Sequence, residues 1–198
     1  MASNIVKIFL SASIPDPRRN TAYWETADLT AIRDAVRALA TVVLPSATLI
    51  WGGHPAITPL IRVVAESVGV SVKEHVVLYQ SEFFRDQFPA DNEAFECVIV
   101  TRKGTDRDSS LEIMRTEMIG RNEFNAGIFI GGMEGVELEF DLFRKFHASA
   151  PVFPIASTGA AARIIFGKYC SDSRELSSDL AYNALFRRIL RQVQSRNI

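Results

Sequence analysis

Small residues follow four short apolar runs of this sequence, at residues 11–13, 52–55, 131–135 and 157–160. In a sheet, each of these segments would lie where a strand ends and a helix begins. Small residues there let a ligand approach the backbone, and the start of the helix offers unpaired N–H groups and the positive end of its dipole. A single such turn also serves close packing, but four in one chain favour a ligand that is anionic or rich in hydroxyl groups.

The segment at residues 131–135 offers the most chemistry. It follows the apolar run 127–130, and acidic residues lie within it and directly after it. A carboxylate in the first turn of a helix is favoured by the dipole whatever the function. Four carboxylates exceed what capping needs, so we expect at least one to contact ribose hydroxyls or a carbon atom that becomes cationic. The four are Glu134, Glu137, Glu139 and Asp141.

The glycines of this segment and the glutamate that follows resemble a known signature. Gly131, Gly132, Gly135 and Glu139 are similar to the Pro-Gly-Gly-x-Gly-Thr-x-x-Glu motif of the Lonely Guy (LOG) phosphoribohydrolases. Those enzymes belong, with Smf/DprA-like proteins, to the SLOG superfamily of Rossmann-like, nucleotide-related domains. Arg115 lies in a Met-Arg-Thr-Glu-Met segment that resembles the family's Arg-Lys-x-x-Met. The resemblance implies that Arg115 and Glu139 fall where the family keeps its catalytic arginine and glutamate.

Three positions depart from the LOG signature. Ile130 replaces the proline, Glu134 is an extra residue ahead of Gly135, and Val136 replaces the threonine that offers a hydroxyl to phosphate. Together with residues 11–15 and 52–57, these features make the chain look more like the stand-alone SLOG clusters of prokaryotic conflict systems. That resemblance implies recognition of a nucleotide-derived signal, such as a cyclic ADP-ribose-like molecule. The alternative is a LOG-like hydrolase that cleaves the N-glycosidic bond of a nucleotide.

The predicted ligand site combines the four small-residue segments with two further positions. Arg115 would hold an anionic group, because its planar fork suits phosphate or carboxylate. Gln80 follows a strand end and can reach a base edge or a ribose. The predicted ligand-binding residues are Ser11, Ser13, Gly52, Gly53, His54, Gln80, Arg115, Gly131, Gly132, Met133, Glu134, Gly135, Glu139, Ser157, Thr158 and Gly159.

Several of these residues have a second interpretation. His54 begins a helix, where a neutral imidazole either bonds a ligand or caps the turn. The hydroxyls of Ser11 and Ser13 either bind a ligand or pack. If the protein is an enzyme, Glu139 and Arg115 are its catalytic residues, and Glu139 would stabilise an oxocarbenium-like centre as a carboxylate does in glycoside hydrolysis.

The elements that position these residues follow from the hydrophobic pattern. Short apolar runs alternate with stretches of helical periodicity along the chain, which indicates a parallel sheet covered by helices on both faces. The right-handed crossover rule makes this a Rossmann-like, doubly wound α/β fold, whose ligands bind beyond the carboxyl ends of the strands. Residues 83–95 are not decided between helix and loop. Strands are predicted at residues 5–10, 48–51, 72–79, 97–101, 126–130 and 152–156.

Composition narrows the class of protein. The 198 residues show no linker, so we predict a single domain over 1–198. Twenty-two Lys+Arg against 23 Asp+Glu give no broad electrostatic basis for binding nucleic acid. Cys97 and Cys170 are too few for a disulfide scaffold and suit a reducing cytoplasm. No apolar run approaches the about 20 residues that cross a bilayer, and no secretion signal opens the chain, so we expect a cytoplasmic protein.

The expected partners are few. No pair of His or Cys residues has metal-ligand spacing, so we predict neither a metal site nor a cofactor. The expected partner is a nucleotide-derived small molecule, with no nucleic acid and no membrane. Apolar helix faces, and the tendency of SLOG relatives to assemble, predict a homo-oligomer, and an effector protein would receive a signal. A third hypothesis, a purely structural subunit, leaves the acidic glycine-rich segment unexplained.

Overall fold

Six parallel strands form one sheet in the computed structural model, which describes residues 5–68, 75–170 and 172–196. They are β1 (Val6–Ser13), β2 (Ala47–Gly52), β3 (Val76–Ser81), β4 (Val98–Thr101), β5 (Ala126–Gly131) and β6 (Val152–Ile155). Their order across the sheet is β4-β3-β2-β1-β5-β6. The predicted Rossmann-like, doubly wound α/β fold is confirmed.

The order of the strands reverses between β1 and β5. Strands β1 to β4 are added in sequence on one side, and β5 and β6 lie on the other side of β1. β1 extends beyond its predicted end at Leu10, because Ser11 and Ser13 remain in register with Phe129 and Gly131 of β5. The predicted start of β3, at residues 72–74, lies outside the described residues.

Helices connect the strands. They are α1 (Thr21–Trp24), α2 (Leu29–Val43), α3 (Thr58–Ser67), α4 (Arg107–Gly120), α5 (Glu134–Phe146), α6 (Ala160–Tyr169), α7 (Arg174–Ser178) and α8 (Tyr182–Ser195). The undecided stretch 83–95 contains two short 3₁₀ helices, Glu82–Gln87 and Ala90–Ala94. Phe88 and Pro89 separate them in extended conformation, and proline offers no N–H to continue a helix.

Helix α3 does not begin directly after β2. The amides of Ile57 and Thr58 both donate to the carbonyl of His54, at 2.9 Å each, so a separate turn precedes the helix. α3 begins at Thr58, and Pro59 lies in its first turn, where a proline is well tolerated.

The sheet separates two apolar layers. Helices α2, α3 and α8 cover one face, where Leu10 and Leu49 are buried. Helices α4, α5 and α6 cover the other face, where Phe9 stacks on Phe143 with ring centroids 5.4 Å apart. Because side chains alternate along a strand, Ser11 and Ser13 face the same side as Phe9, toward α5. The fold therefore brings these hydroxyls to the helix that follows β5.

Candidate functional site

The candidate site lies at the carboxyl ends of β1 and β5, where the strand order reverses. The amide of Gly132 donates to the carbonyl of Ser13 at 2.9 Å, so the two strand ends stay bonded as the chain turns into α5. Gly131 and Gly132 have φ angles of +56° and +88°, which favour glycine. A Cβ atom on Gly132 would also overlap the side chain of Val136. Both glycines are therefore required by the turn itself.

The N-terminus of α5 is open at this point. Met133 precedes the helix without a side-chain cap, and its carbonyl accepts from the amides of Val136 and Glu137. Within the described residues, the amides of Met133, Glu134 and Gly135 donate to no other group. Three free N–H groups and the positive end of the dipole suit an anion, such as a phosphate.

Arg115 and Glu139 form a largely buried pair beside this helix start. The Nε of Arg115 donates to one carboxylate oxygen of Glu139 at 3.1 Å, and the Oγ of Ser11 donates to the other at 2.6 Å. The two charged side chains are 15% and 13% exposed. The structure thus brings together three residues from β1, α4 and α5 that the sequence analysis selected.

The guanidinium of Arg115 keeps donors available. Its Nη1 and Nη2 make no hydrogen bond in the part of the chain that the structure describes. Nη2 lies against Gly135, where an added Cβ atom would come within 2.7 Å of it. Gly135 lies in the first turn of α5, so the absence of a side chain there lets the guanidinium reach the helix start.

The other carboxylates of α5 hold neighbouring segments. Glu134 accepts from Arg19 at 3.5 Å and from Asn20 at 3.3 Å, both in the loop after β1. Glu137 accepts from Tyr23 at 2.7 Å and from Lys168 at 3.1 Å. Burial, and then the bond to Glu137, raise the pKa of Tyr23 well above its ordinary value.

These bonds occupy Glu134 and Glu137, so two of the four acidic residues in and after the glycine-rich segment already have partners within the protein. Arg19 and Asn20 are site neighbours that the predicted set lacks. The sequence feature that could have pointed to them is the pair of basic residues, Arg18 and Arg19, in the loop after the first strand.

His54 and Gln80 lie at the ends of the neighbouring strands. The Nδ1 of His54 accepts from the amide of Ala56 at 3.2 Å, which leaves the ring proton on Nε2. Burial, and then the charge of Arg19, lower the pKa of His54 to about 4, so the ring is neutral near pH 7. His54 is therefore compatible with both capping the turn and bonding a ligand. Its Nδ1 caps the turn, and its Nε2 has no partner within the described residues.

Gly52 and the Ser157 segment serve packing in this structure. A Cβ atom on Gly52 would come within 2.9 Å of the Cε of Met114, so the glycine lets α4 approach the sheet next to Arg115. Thr158 donates through Oγ1 to the carbonyl of Ile155 at 2.5 Å and accepts there from the amide of Gly131 at 2.9 Å. The hydroxyl of Ser157 donates to the carbonyl of Asp179 at 3.1 Å.

The turn before α6 is closed by the chain itself. The amide of Ala160 donates to the hydroxyl of Thr26 at 3.0 Å, and the amide of Ala161 donates to the carbonyl of Gly132 at 3.3 Å. Gly159 has a φ of +72°, and a Cβ atom there would overlap the carbonyl of Thr26. We therefore leave Ser157, Thr158 and Gly159 out of the site proposed below.

Other parts of the molecule show fewer features of a ligand site. Two shallow depressions, one between α2 and α8 and one beside β6 and α7, contain none of the predicted site residues. Across residues 5–68, 75–170 and 172–196, no three His, Cys, Asp or Glu side chains are grouped as metal ligands. None of the helices in these ranges combines the length and the apolar character needed to cross a membrane.

Comparison with known proteins places the chain in a family. The family model described as the SLOG cluster3 family matches residues 22–190, which include Arg115, Glu139 and three of the four small-residue segments. The X-ray structure of TM1055, a target of the Northeast Structural Genomics Consortium, is 16% identical with a TM-score of 0.57, over 95% of this chain and 99% of that one. At this identity the likeness shows the fold alone. No curated protein matches the chain. Because the family model covers most of the sequence, the protein belongs to the SLOG cluster3 family, and its function is nucleotide-related.

Proposed function

We propose that the protein binds a nucleotide or a nucleotide-derived signal, such as an ADP-ribose-like molecule, at the carboxyl ends of β1 and β5. The observation that supports this most directly is the uncapped N-terminus of α5 with the free Nη groups of Arg115 beside it. Backbone amides, a helix dipole and a guanidinium fork together match the charge and the hydrogen-bonding needs of a phosphate.

The ribose would lie against Ser13 and Glu139. The hydroxyl of Ser13 is half-buried and makes no hydrogen bond within the described residues. Glu139 is oriented by Ser11 and Arg115, and each of its oxygens retains acceptor capacity for a ribose hydroxyl. Because the carboxylate is already held in place, it can accept such a bond without losing freedom of rotation.

Two features favour binding over hydrolysis. Both oxygens of Glu139 are already engaged by protein donors, whereas a group that stabilises a developing cation acts best when it faces that carbon directly. Val136 replaces the threonine of the LOG signature, so the site lacks the hydroxyl that the signature offers to the phosphate of a LOG substrate. N-glycosidic hydrolysis by Arg115 and Glu139 remains the second candidate function, favoured by the close contact of these two residues at the open helix start.

Calorimetry with a panel of ligands tests the proposal. ADP-ribose, its cyclic isomers, cyclic dinucleotides and mononucleotides would be titrated into the protein, and we expect at least one to bind. Arg115→Lys keeps the charge but loses the fork, so it should weaken binding about 10-fold. The control is Arg121→Ala, because Arg121 follows α4 and, among the residues that the structure describes, its exposed guanidinium pairs only with Glu117. If no member of the panel binds at millimolar concentration, the proposal is wrong.

Product analysis separates binding from hydrolysis. Each ligand that binds would be incubated with the protein and the mixture analysed by chromatography for free base. Hydrolysis predicts base release that collapses in Glu139→Gln. Binding without any free base, over pH 5 to 9, leaves sensing as the function.

A further inference from the structure

The two edges of the sheet differ in how they are protected. β6 forms one edge, and β4 forms the other. The amide of Gly127 donates to the carbonyl of Pro151 at 3.0 Å, and this pattern turns the backbone groups of Val152 and Pro154 outward. Pro154 has no N–H to offer there, and helix α7 contacts β6. The edge at β6 is therefore protected against pairing with a further strand.

The edge at β4 lacks this protection within the described residues. The amide of Leu78 donates to the carbonyl of Cys97 at 2.9 Å, and Leu78 is in register with Val98. In a parallel ladder, this pattern turns the N–H and C=O groups of Val98 and Val100 away from β3. No described segment bonds to these outward groups. β4 therefore offers donors and acceptors to another strand.

The side chains of β4 are apolar and partly exposed. Val98 and Ile99 are half-buried, and Val100 is 40% exposed. Edge strands are commonly protected by a charge, a proline or a bulge, but none of the four residues of β4 is charged or a proline. An exposed charged residue flanks the strand on each side, Glu96 before it and Arg102 after it. This edge suits an apolar strand with charges at its ends.

The β4 strand of a second copy of this chain meets these requirements. Outward-facing residues of two such strands can pair antiparallel about Val98, Ile99 or Val100. Centred on Ile99, each Val98 lies opposite Val100 of the other copy, and Glu96 lies opposite Arg102. Centred on Val98, Glu96 lies opposite Val100 instead, and centred on Val100, Arg102 lies opposite Val98. Because opposite charges across a strand pair are favourable, the charges select the pairing about Ile99.

We propose that two copies of the chain associate through β4, antiparallel about a two-fold axis at Ile99, and join their sheets into one. Val98 of each copy exchanges two backbone hydrogen bonds with Val100 of the other, and an ion pair between Glu96 and Arg102 flanks each end. β2 and β3 separate this edge from β1 and β5. The dimer therefore leaves the candidate ligand site open, and this proposal stands or falls independently of the proposed function.

Cysteine cross-linking tests the pairing and its register. In the proposed dimer Ile99 faces Ile99 of the other copy as a non-hydrogen-bonded pair, whose Cα atoms are about 4.5 Å apart and within reach of a disulfide. Cys97→Ser and Cys170→Ser remove the native thiols of the chain. Ile99→Cys is then introduced, and the protein is oxidised gently. We expect a covalent dimer as the main product on a nonreducing gel.

The matched control is Val100→Cys in the same background. In the proposed register Val100 faces Val98, so the two Val100 positions are diagonal neighbours about 7–8 Å apart, too far for a disulfide. Val100 is more exposed than Ile99, yet its cysteine should cross-link much less. Equal cross-linking of the two variants, or more of it at Val100, overturns the proposal, and so does the absence of a covalent dimer in both.

Charge reversal at the exposed Arg102 keeps the proposal testable if Ile99→Cys does not fold. Because β4 has only four residues, the wild-type dimer should dissociate on dilution, and sedimentation equilibrium over a range of concentrations measures its dissociation constant. Arg102→Glu places two carboxylates opposite each other at both ends of the strand pair, so it should weaken the dimer about 10-fold.

Lys103→Glu is the control for this reversal. It makes the same change of charge one position along the chain, at an exposed residue that the proposed register does not place opposite Glu96, and it should alter the dissociation constant much less. Equal effects of the two reversals, or a dimer that Arg102→Glu leaves unchanged, would show that the copies meet elsewhere and would overturn the proposal. A wild type that stays monomeric at every concentration would also overturn it.

Discussion

The turns before α5 and α6 look alike in sequence and differ in what the folded chain places on them. Both follow a buried strand, and both contain glycines with positive φ angles. The amides that begin α6 are bonded to Thr26 and Gly132, whereas those that begin α5 have no partner within the described residues. A glycine turn is therefore a candidate ligand site only where no other segment caps the helix that follows.

The turn before α3 is a third case, between these two. It is closed locally, because the ring and the carbonyl of His54 accept the amides that come next. The three turns thus show closure by a distant segment, closure by a neighbouring side chain, and no closure. Substitutions in each turn should distinguish these three cases by their effects on stability and on ligand binding.

The largest effect is expected for Gly159→Ala in the closed turn. The change places a Cβ atom on the carbonyl of Thr26 in a left-handed backbone, and it should lower the free energy of unfolding by about 3 kcal/mol. Urea denaturation measures this. A loss below about 1 kcal/mol would show that the contact with Thr26 is loose and that this turn can open like the one before α5.

The next effect concerns His54 and pH. Its pKa is lowered to about 4 in the folded state by burial and by Arg19, while the unfolded chain keeps about 6.5. The unfolded chain therefore binds more protons between these values, and stability falls as the pH drops through that window. From pH 7.5 to pH 5 the loss is about 2 kcal/mol, measured by urea denaturation at each pH. His54→Asn keeps a cap and should remove most of this dependence; an unchanged profile would show that other groups cause it.

A smaller effect is expected for Thr26→Ala. The variant removes the hydroxyl that accepts from the amide of Ala160, and loss of a cap of this kind costs about 1 kcal/mol. Thr26→Ser keeps the hydroxyl and is the matched control for thermal and urea unfolding. If both variants are as stable as the wild type, the bond from Thr26 does not close α6.

Gly135→Ala should affect stability least and binding most selectively. Within the described part of the chain its Cβ atom would meet only the movable end of Arg115, and alanine favours a helix, so the stability should change by less than about 1 kcal/mol. The displaced guanidinium should weaken binding of the ligand identified by calorimetry about 10-fold. Unchanged affinity would show that Arg115 does not contact the ligand.

The sequence predicts the sheet well because the apolar runs that form the strands are local. Five of the six strands lie close to their predicted positions. The exception is β3, because its predicted start lies outside the described residues. The close contact of Arg115 and Glu139, 24 residues apart, fits what the LOG resemblance implied about their positions. Their role as ligand or catalytic residues stays a prediction.

The sequence does not predict which turns are closed. The cap on α6 joins Thr26 to Ala160, which are 134 positions apart, and Tyr23 reaches Glu137 across 114 positions. Such pairs have no periodicity or spacing to detect. The same reason explains why the carboxylates of α5 suggested more ligand contacts than the structure leaves available, since Glu134 and Glu137 bond to partners in distant segments.

The continuation of β1 as far as Ser13 has one further consequence. The ladder with β5 holds the backbone on both sides of the strand reversal as far as Ser13 and Gly131. A ligand that docks there meets a surface whose main-chain conformation is set before it arrives, so little conformational entropy is lost in shaping that surface. Any ordering on association would then fall on exposed side chains such as Arg19, and the proposed ligand would bind without a large rearrangement of the sheet.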